Sequence, residues 1–301
     1  MKKERLVGVC IAAAMLLAAS GCKSFLPQDG GQSRAQSSSA EPVSSLAQSS
    51  ASPSSEDAES SAPPAQSAQE SSAAPPASSE EPAAPQTRQE ALRQTKAALS
   101  TKVPVLLPAD VMTGKGEFLT STTVSQTWYY KAVFYGAKQP AEVNSKNAKK
   151  GTPIASVEGT GYKNADVAKE NVGYYRKADF TGAENSAVDL GHRIKAVQEY
   201  GLGHAELYWN EGRWSITVDS PSDPAYRTKQ YPDNKKLAEQ IVAYLDKAML
   251  PAPRNVGVIE VGDWSNNMVT TVSWQRDAVV YRVTSSDPMT ALKTAVAMNA
   301  K

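Results

Sequence analysis

Histidine and cysteine are scarce in this 301-residue chain, and their scarcity limits the chemistry that the chain can support. The two cysteines, Cys10 and Cys22, both lie near the N-terminus, so the rest of the chain has no pair for a disulfide. A nucleophilic triad would have to use one of the two histidines, and no Gly-x-Ser-x-Gly elbow or complete phosphate-binding loop accompanies them. The sequence therefore predicts no cofactor and no metal, and it favours a protein that is not an enzyme.

The two histidines are expected to have different surroundings. His204 shares one face of a predicted strand with Glu206, and two ligands are too few for a metal site, with Arg213 expected opposite them. His192 is expected on an apolar strand face, where it would be structural and its replacement would destabilise the fold. The residues predicted to share that face are Val188, Leu190 and Ile194.

Aromatic and charged residues are distributed unevenly, and their distribution divides the chain into three parts. All five tryptophans and all twelve tyrosines lie beyond residue 127, whereas residues 23–86 hold 19 serines and one aromatic residue. Residues 87–301 carry 27 Lys/Arg and 22 Asp/Glu, a net charge of +5 spread over 215 residues. This charge is too dilute for the basic surface of a nucleic-acid-binding protein.

The N-terminus has the three parts of a secretory signal. Basic residues precede an apolar run at 6–19, and small residues follow it. The segment Ala19-Ser20-Gly21-Cys22 resembles the lipobox of bacterial lipoproteins, although leucine is usual where Ala19 stands. The resemblance implies cleavage after residue 21, a diacylglyceryl group on Cys22 and a lipid anchor at the extracytoplasmic face of a cell membrane. An ordinary signal peptide with an incidental cysteine is the alternative.

Residues 22–86 are predicted to form a disordered tether behind the lipidated cysteine. Residues 23–86 are rich in Ser, Ala, Pro, Gln and Glu, and such a segment buries too little apolar surface to offset its ordering entropy. As a flexible coil, residues 23–86 would span roughly 40–50 Å. We interpret the segment as a spacer, and the alternative is an unselected tail.

Hydrophobic periodicity in residues 87–301 predicts a single α+β domain with a mainly antiparallel sheet and packed helices. A division near residues 220–230 is the alternative. The strand at Thr127–Tyr135 is apolar on both faces and is expected to be central, whereas residues 164–175 are ambiguous. The other elements expected are helices at 87–99, at 233–250 and from Asp287 onward, and strands at 154–160, 187–200, 207–218 (a hairpin), 256–261, 268–274 and 279–283.

The C-terminal hairpin and helix carry a second resemblance. Residues 274–283, followed by an alanine-rich helix, resemble the end of a domain in sporulation-associated and anti-sigma-linked bacterial lipoproteins. That group is similar to the carriers of outer-membrane lipoproteins, in which a curved antiparallel sheet surrounds helices. The resemblance implies a fold and transfers no binding residue.

Two groups of residues are candidates for ligand contact. The first is aromatic and comprises Trp128, Tyr130, Tyr174 and Tyr175, which suit sugar or peptide stacking where they are exposed and are otherwise core residues. The second is the lysine group before Gly151, interpreted as a solvated loop with an anion site as the alternative. Its members are Lys146, Lys149 and Lys150.

The sequence favours a lipid-anchored, non-catalytic domain that binds an envelope protein, peptide or polymer. The alternatives are a carrier or sensor of a hydrophobic ligand, with a cavity under the sheet, and an envelope hydrolase. An apolar cavity would favour the carrier, two convergent carboxylates would favour the hydrolase, and an exposed aromatic patch would favour the binding domain.

Overall fold

The computed structural model describes residues 83–182, 186–264 and 267–299. The signal peptide, Cys22 and nearly all of the tether expected from the sequence lie outside these residues. Within the described part, four α-helices accompany one ten-stranded, mostly antiparallel sheet, which confirms the predicted α+β class. Among the same residues, no helix is long and apolar enough to cross a membrane.

The elements follow one another in an order that mixes helices and strands. They are α1 (Arg88–Ala97), β1 (Phe118–Gln126), β2 (Tyr129–Ala137), β3 (Thr152–Gly161), α2 (Ala165–Glu170), β4 (Ala187–Asp189), β5 (Lys195–Gly201), β6 (His204–Glu211), β7 (Trp214–Pro221), α3 (Asn234–Leu245), β8 (Gly257–Trp264), β9 (Asn267–Arg276), β10 (Val279–Ser285) and α4 (Pro288–Val296).

The sheet is continuous from the first strand to the last. Its strand order is β1-β2-β3-β10-β9-β8-β7-β6-β5-β4. Only β7 and β8 pair in parallel among these strands, because α3 carries the chain back to the same end of the sheet between them. Strands from both sides of residues 220–230 therefore belong to one sheet.

Local capping signals explain where the helices begin. The side chain of Thr87 accepts a hydrogen bond from the Glu90 amide, and Asp233 caps α3 through the amides of residues 235 and 236. Asp287 accepts from the Thr290 amide, with Pro288 at the first helical position of α4. The predicted helix starts are confirmed, whereas α3 ends at Leu245, before the expected residue 250.

One face of the sheet, called here the inner face, is covered by α1, α3 and α4. The largest fully buried side chains on this face include Trp209, Trp274, Tyr130 and Phe134. Tyrosine hydroxyls also fix the extended segment that follows α1. The Tyr130 hydroxyl donates to the Leu106 carbonyl at 2.7 Å, and the Tyr281 hydroxyl donates to the Pro104 carbonyl at 2.9 Å. Core side chains and the extended segment after α1 therefore pack against this face of the sheet.

The structure corrects two predictions about strands at the start of the sheet. The strand β1 was not predicted, and its sequence is dominated by serine and threonine. Because β1 lies outside β2, the strand at Tyr129–Ala137 is next to the edge of the sheet and not central. Its residues Tyr130, Ala132 and Phe134 are buried as expected.

The predicted strand at 187–200 is wrong in its middle, because the chain turns there between β4 and β5. Gly191, His192 and Arg193 all have positive φ angles, which no strand allows. His192 consequently lies on the surface, with Nδ1 3.0 Å from Asp246 Oδ2, and it is not on an apolar face. The loss of stability expected on replacing His192 falls away with this finding. The ambiguous residues 164–175 form α2 and the start of an extended segment.

Candidate functional site

The outer face of the sheet, opposite the helical layer of α1, α3 and α4, is partly covered by α2 and by an extended segment at residues 173–180, called here the strap. Ser215 on β7 hydrogen-bonds both the amide and the carbonyl of Arg176, at 3.0 and 2.9 Å. Asn210 on β6 bonds the Arg176 carbonyl at 2.9 Å and the Ala178 amide at 2.7 Å. The strap is therefore tied across β6 and β7 by side chains of the outer face.

Three carboxylates lie side by side on this face, one on each of three neighbouring strands. Glu199 on β5 is directly opposite Glu206 on β6, and Glu206 is directly opposite Asp219 on β7. Like charges in directly opposite positions destabilise a sheet, so this carboxylate row requires compensation by neighbouring groups.

Arg176 of the strap supplies most of that compensation. Its Nη1 donates to Glu206 Oε2 at 2.8 Å, and its Nη2 donates to Glu199 Oε2. The guanidinium carbon also lies 3.4 Å from the centroid of the Tyr208 ring. The strap thus places one positive charge between two carboxylates and against an aromatic face.

The Tyr208 hydroxyl completes this network by donating to Glu199 Oε1 at 2.7 Å. This hydrogen bond, followed by the pairing with Arg176, holds the pKa of the Glu199 carboxyl below its ordinary value against the opposing effect of burial. Glu199 is therefore an anion at neutral pH and is unsuited to act as a general acid.

His204 lies at the other end of the carboxylate row. Its Nδ1 is 3.0 Å from both carboxylate oxygens of Asp219. The predicted face shared by His204, Glu206 and Tyr208 is confirmed, because these side chains alternate with the buried Ala205 and Leu207 along β6. Imidazole and carboxylate groups from two strands thus meet beside the Arg176 network.

His204, Glu206 and Asp219 together offer three ligand atoms that lie within 4.8 Å of one another. The sequence pointed to only two of them and placed Arg213 opposite, whereas Arg213 lies in the turn between β6 and β7 and donates to the Arg254 carbonyl at 2.7 Å. The hairpin predicted at 207–218 is the signal that could have located Asp219, since its register in the structure pairs Trp209 with Ile216 and Glu206 with Asp219. No comparable local signal points to Arg176, which reaches the row from a distant segment.

The structure separates the aromatic residues that the sequence grouped as candidates. Tyr130 is fully buried, so this candidate for ligand contact is a core residue that holds residue 106. Trp128 is 56% exposed at the turn before β2, under the Lys102 ammonium at 5.7 Å. Tyr174 and Tyr175 lie on the strap, and Tyr174 is 75% exposed. Four strands separate β2 from β7, a distance of roughly 24 Å.

The lysine group before Gly151 lies beside an open hollow of about 400 Å³, and of its members only Lys150 is in the wall of that hollow. Lys146, Lys149 and Lys150 are all exposed. Lys150 Nζ donates to Asn147 Oδ1 at 3.0 Å, and the nearby Lys138 is already paired with Glu117 at 2.8 Å. This geometry matches the interpretation as a solvated loop better than an anion site.

Comparison with known proteins found no match to this chain. No family model matches the chain, and no curated protein and no solved structure matches it either. The two resemblances drawn from the sequence, to lipoproteins with a lipobox and to the C-terminal part of sporulation-linked lipoproteins, therefore stay predictions. The geometry of the described residues carries the functional argument.

We expect Arg176→Met to lower the free energy of unfolding at pH 7 by about 1 kcal/mol, because it removes the hydrogen bonds of Arg176 to two carboxylates. The loss is no larger because the Glu199 side chain is half exposed and water screens its pairing with Arg176. The folded-state pKa of Glu199 is depressed, so this contribution is full above the unfolded pKa near 4.5 and is lost as pH falls through the folded value. Urea denaturation at pH 7 and at pH 3 should show the difference between wild type and variant shrinking with acid.

The control for this experiment is Arg93→Met. Arg93 pairs with Glu90 within one helix, and its side chain is largely exposed, so its replacement should leave unfolding unchanged at both pH values. A deficit of Arg176→Met that persists undiminished at pH 3 would mean that the contact of the guanidinium with the Tyr208 ring, and not its pairing with the carboxylates, stabilises the strap.

Proposed function

We propose that this chain is an exported lipoprotein, anchored through lipid on Cys22 at the extracytoplasmic face of a cell membrane, whose folded domain binds an envelope partner without catalysis. The single observation that carries the binding half is the exposed aromatic strap beside the carboxylate row on the outer face of the sheet. Residues 23–86 would act as the tether that holds this face away from the membrane.

Packing of the inner face supports a surface-binding domain over a carrier. A carrier of a hydrophobic ligand needs an apolar space under its sheet. Here Trp209 and Trp274 are fully buried in that position, together with apolar side chains of α3 and α4. Open hollows at the surface of the described residues have charged side chains in their walls, among them Lys138 at one, Glu199 at a second and Lys96 at a third.

The electrostatics of the row support binding over hydrolysis. An acid–base hydrolase needs one carboxyl with a raised pKa beside an ionised one. In the row, hydrogen bonding lowers the pKa of Glu199. Burial raises the pKa of Glu211, but Glu211 lies five positions further along β6, roughly 17 Å from Glu206, and it accepts a hydrogen bond from Trp209 of the inner face.

Exposed aromatic side chains are the usual anchors of protein and sugar recognition, because they offer a large apolar area with few rotatable bonds. Tyr174, Tyr175 and Phe180 lie within eight residues on the strap and are all exposed. The backbone bonds of the strap to Asn210 and Ser215 fix the segment that carries them. A pre-organised surface of this kind binds without the cost of ordering a loop.

The test is site-specific photo-cross-linking in membranes of cells that express the full chain. A photoreactive phenylalanine analogue replaces Tyr174 in one variant and Trp128 in the other. We expect a discrete adduct with one envelope component at position 174 and none at position 128, since Tyr174 lies on the strap and Trp128 lies at the turn between β1 and β2. The same Tyr174 variant carrying Cys22→Ser should leave the membrane fraction and lose the adduct.

This experiment tests the lipid anchor and the binding at the strap independently of each other. Fully processed Cys22→Ser protein that stays in the membrane fraction would contradict the lipid anchor. An adduct at position 128 only, or at neither position, would contradict binding at the strap while leaving the anchor intact.

A further inference from the structure

We infer that His204, Glu206 and Asp219 form a binding site for one divalent transition-metal ion, with Zn²⁺ as the representative ion. This site is additional to the proposed binding of an envelope partner and does not depend on it. It combines one imidazole and two carboxylates from adjacent strands, a donor set that zinc accepts in three-ligand sites with an open fourth position.

The three donor groups lie close enough together to reach one ion. His204 Nδ1 lies 3.0 Å from each oxygen of Asp219. Two ligand atoms about 2.1 Å from a zinc ion in tetrahedral geometry are about 3.4 Å apart. An atom of Glu206 completes the set within 4.8 Å of the other two residues. Only small side-chain rotations are then needed to direct the three donors at a common point.

Arg176 positions Glu206 and leaves one of its oxygens available. The guanidinium bonds Oε2, whereas Oε1 of Glu206 has no hydrogen-bond partner among the described residues. A metal-bound carboxylate commonly uses one oxygen for the ion and the other for a neighbouring donor, which fixes its orientation. Glu199, Glu206 and Asp219 carry three formal negative charges against one positive charge on Arg176, and this excess favours a divalent cation.

An ion also has access to these ligands. An open hollow of about 260 Å³ has Glu199, His204 and Glu206 in its wall. The side chains of His204 and Glu206 are partly exposed, so water or a partner group is able to take the open coordination position. Strand residues carry all three ligands, which holds their backbone rigid.

The chain contains its own control for this inference. His192 also places Nδ1 3.0 Å from an aspartate, Asp246, at the surface. Among the described residues, no third possible metal ligand lies close enough to this pair to form a group of three. A histidine–aspartate pair alone should bind Zn²⁺ weakly, whereas the three-ligand site should bind it as a distinct one-to-one site.

The experiment is an isothermal titration calorimetry measurement, in which ZnCl₂ is added to the untagged, metal-free full chain. We expect one saturable site, weakened about tenfold or more in His204→Gln and in Glu206→Gln and unchanged in His192→Gln. CaCl₂ should give no saturable heat, because calcium prefers six to eight oxygen ligands. Circular dichroism of each variant checks that the fold is retained.

A measurement on the wild type does not depend on any variant of the site folding. The chain has two histidines, so its imidazole proton resonances form two sets, and His192→Gln assigns them. Zn²⁺ should shift the His204 set at one equivalent and leave the His192 set in place. The inference is overturned if wild-type protein shows no saturable Zn²⁺ site, if both sets shift together, or if Glu206→Gln binds as wild type does.

Discussion

Replacing Trp274 with alanine is expected to lower the free energy of unfolding by about 3–5 kcal/mol, the range for removing a large aromatic side chain from a core. Trp274 is 1% exposed on the inner face of β9. Its ring stacks on Tyr281 at 5.7 Å between centroids and lies 6.5 Å from Trp214. The substitution therefore opens a cavity between two other aromatic rings that are themselves held by the sheet.

Trp128→Ala is the matched control for this prediction. The same side chain is removed, but Trp128 is more than half exposed at the turn between β1 and β2. The expected loss is below about 1 kcal/mol, because little apolar surface and one exposed cation–π contact disappear. Urea denaturation followed by circular dichroism measures both variants. Equal losses for the two tryptophans would contradict the assignment of the inner face as the core.

The helix starts were predictable from sequence because their signals are local. Thr87, Asp233 and Asp287 each precede a helix and accept a hydrogen bond from an amide two or three residues later. The β6–β7 hairpin was also predictable, since Trp209 and Ile216 alternate with polar residues on either side of a glycine turn. In these elements, residues close in sequence determine the structure.

The candidate site was only half predictable. Its other residues are brought together by the register of the β6–β7 pair and by a segment that is distant in the sequence. Glu206 and His204 share a strand face, which alternation alone predicts. Asp219 required the hairpin register to be carried three residues beyond the pair of Trp209 and Ile216, whereas Arg176 reaches the row through a strap without regular structure. Tertiary contacts of this kind leave no periodic pattern in the sequence.

The error at His192 has a different physical cause. Residues 187–200 alternate apolar and polar side chains as a strand does, yet three consecutive residues have positive φ angles. Gly191 is the one residue of the three that tolerates this conformation at no steric cost, and it marks the turn. Alternation continues across a tight turn when both flanking strands bury the same face, so periodicity alone does not reveal the break.

Glycines opposite aromatic residues are a second feature that the sequence did not reveal. Gly159 on β3 is directly opposite Tyr130 on β2, and Gly257 on β8 is directly opposite Trp214 on β7. A Cβ atom at Gly159 would lie 2.2 Å from Tyr130 Cε1, and one at Gly257 would lie 2.5 Å from Trp214 Cε3. Each aromatic ring thus occupies the space that a side chain on the neighbouring strand would need.

We expect Gly159→Ala to lower the free energy of unfolding by about 3 kcal/mol. The added methyl group forces the fully buried Tyr130 ring to move, and overpacking of a core costs typically about 1–3 kcal/mol. Displacing the ring also breaks the bonds of its hydroxyl to the Leu106 amide and carbonyl, each worth about 1 kcal/mol. Urea denaturation measures the loss, with Gly201→Ala as a control, because nothing lies within 4 Å of a Cβ atom at Gly201.

A double-mutant cycle identifies the ring of Tyr130 as the cause. In a Tyr130→Leu background the methyl group at residue 159 meets a smaller side chain, so the further loss from Gly159→Ala should fall to about 1 kcal/mol or less. A shortfall of this kind, set beside an unchanged Gly201→Ala, assigns the cost to the contact between residues 130 and 159. If the two losses instead add, the glycine is required by its own backbone and the packing explanation is wrong.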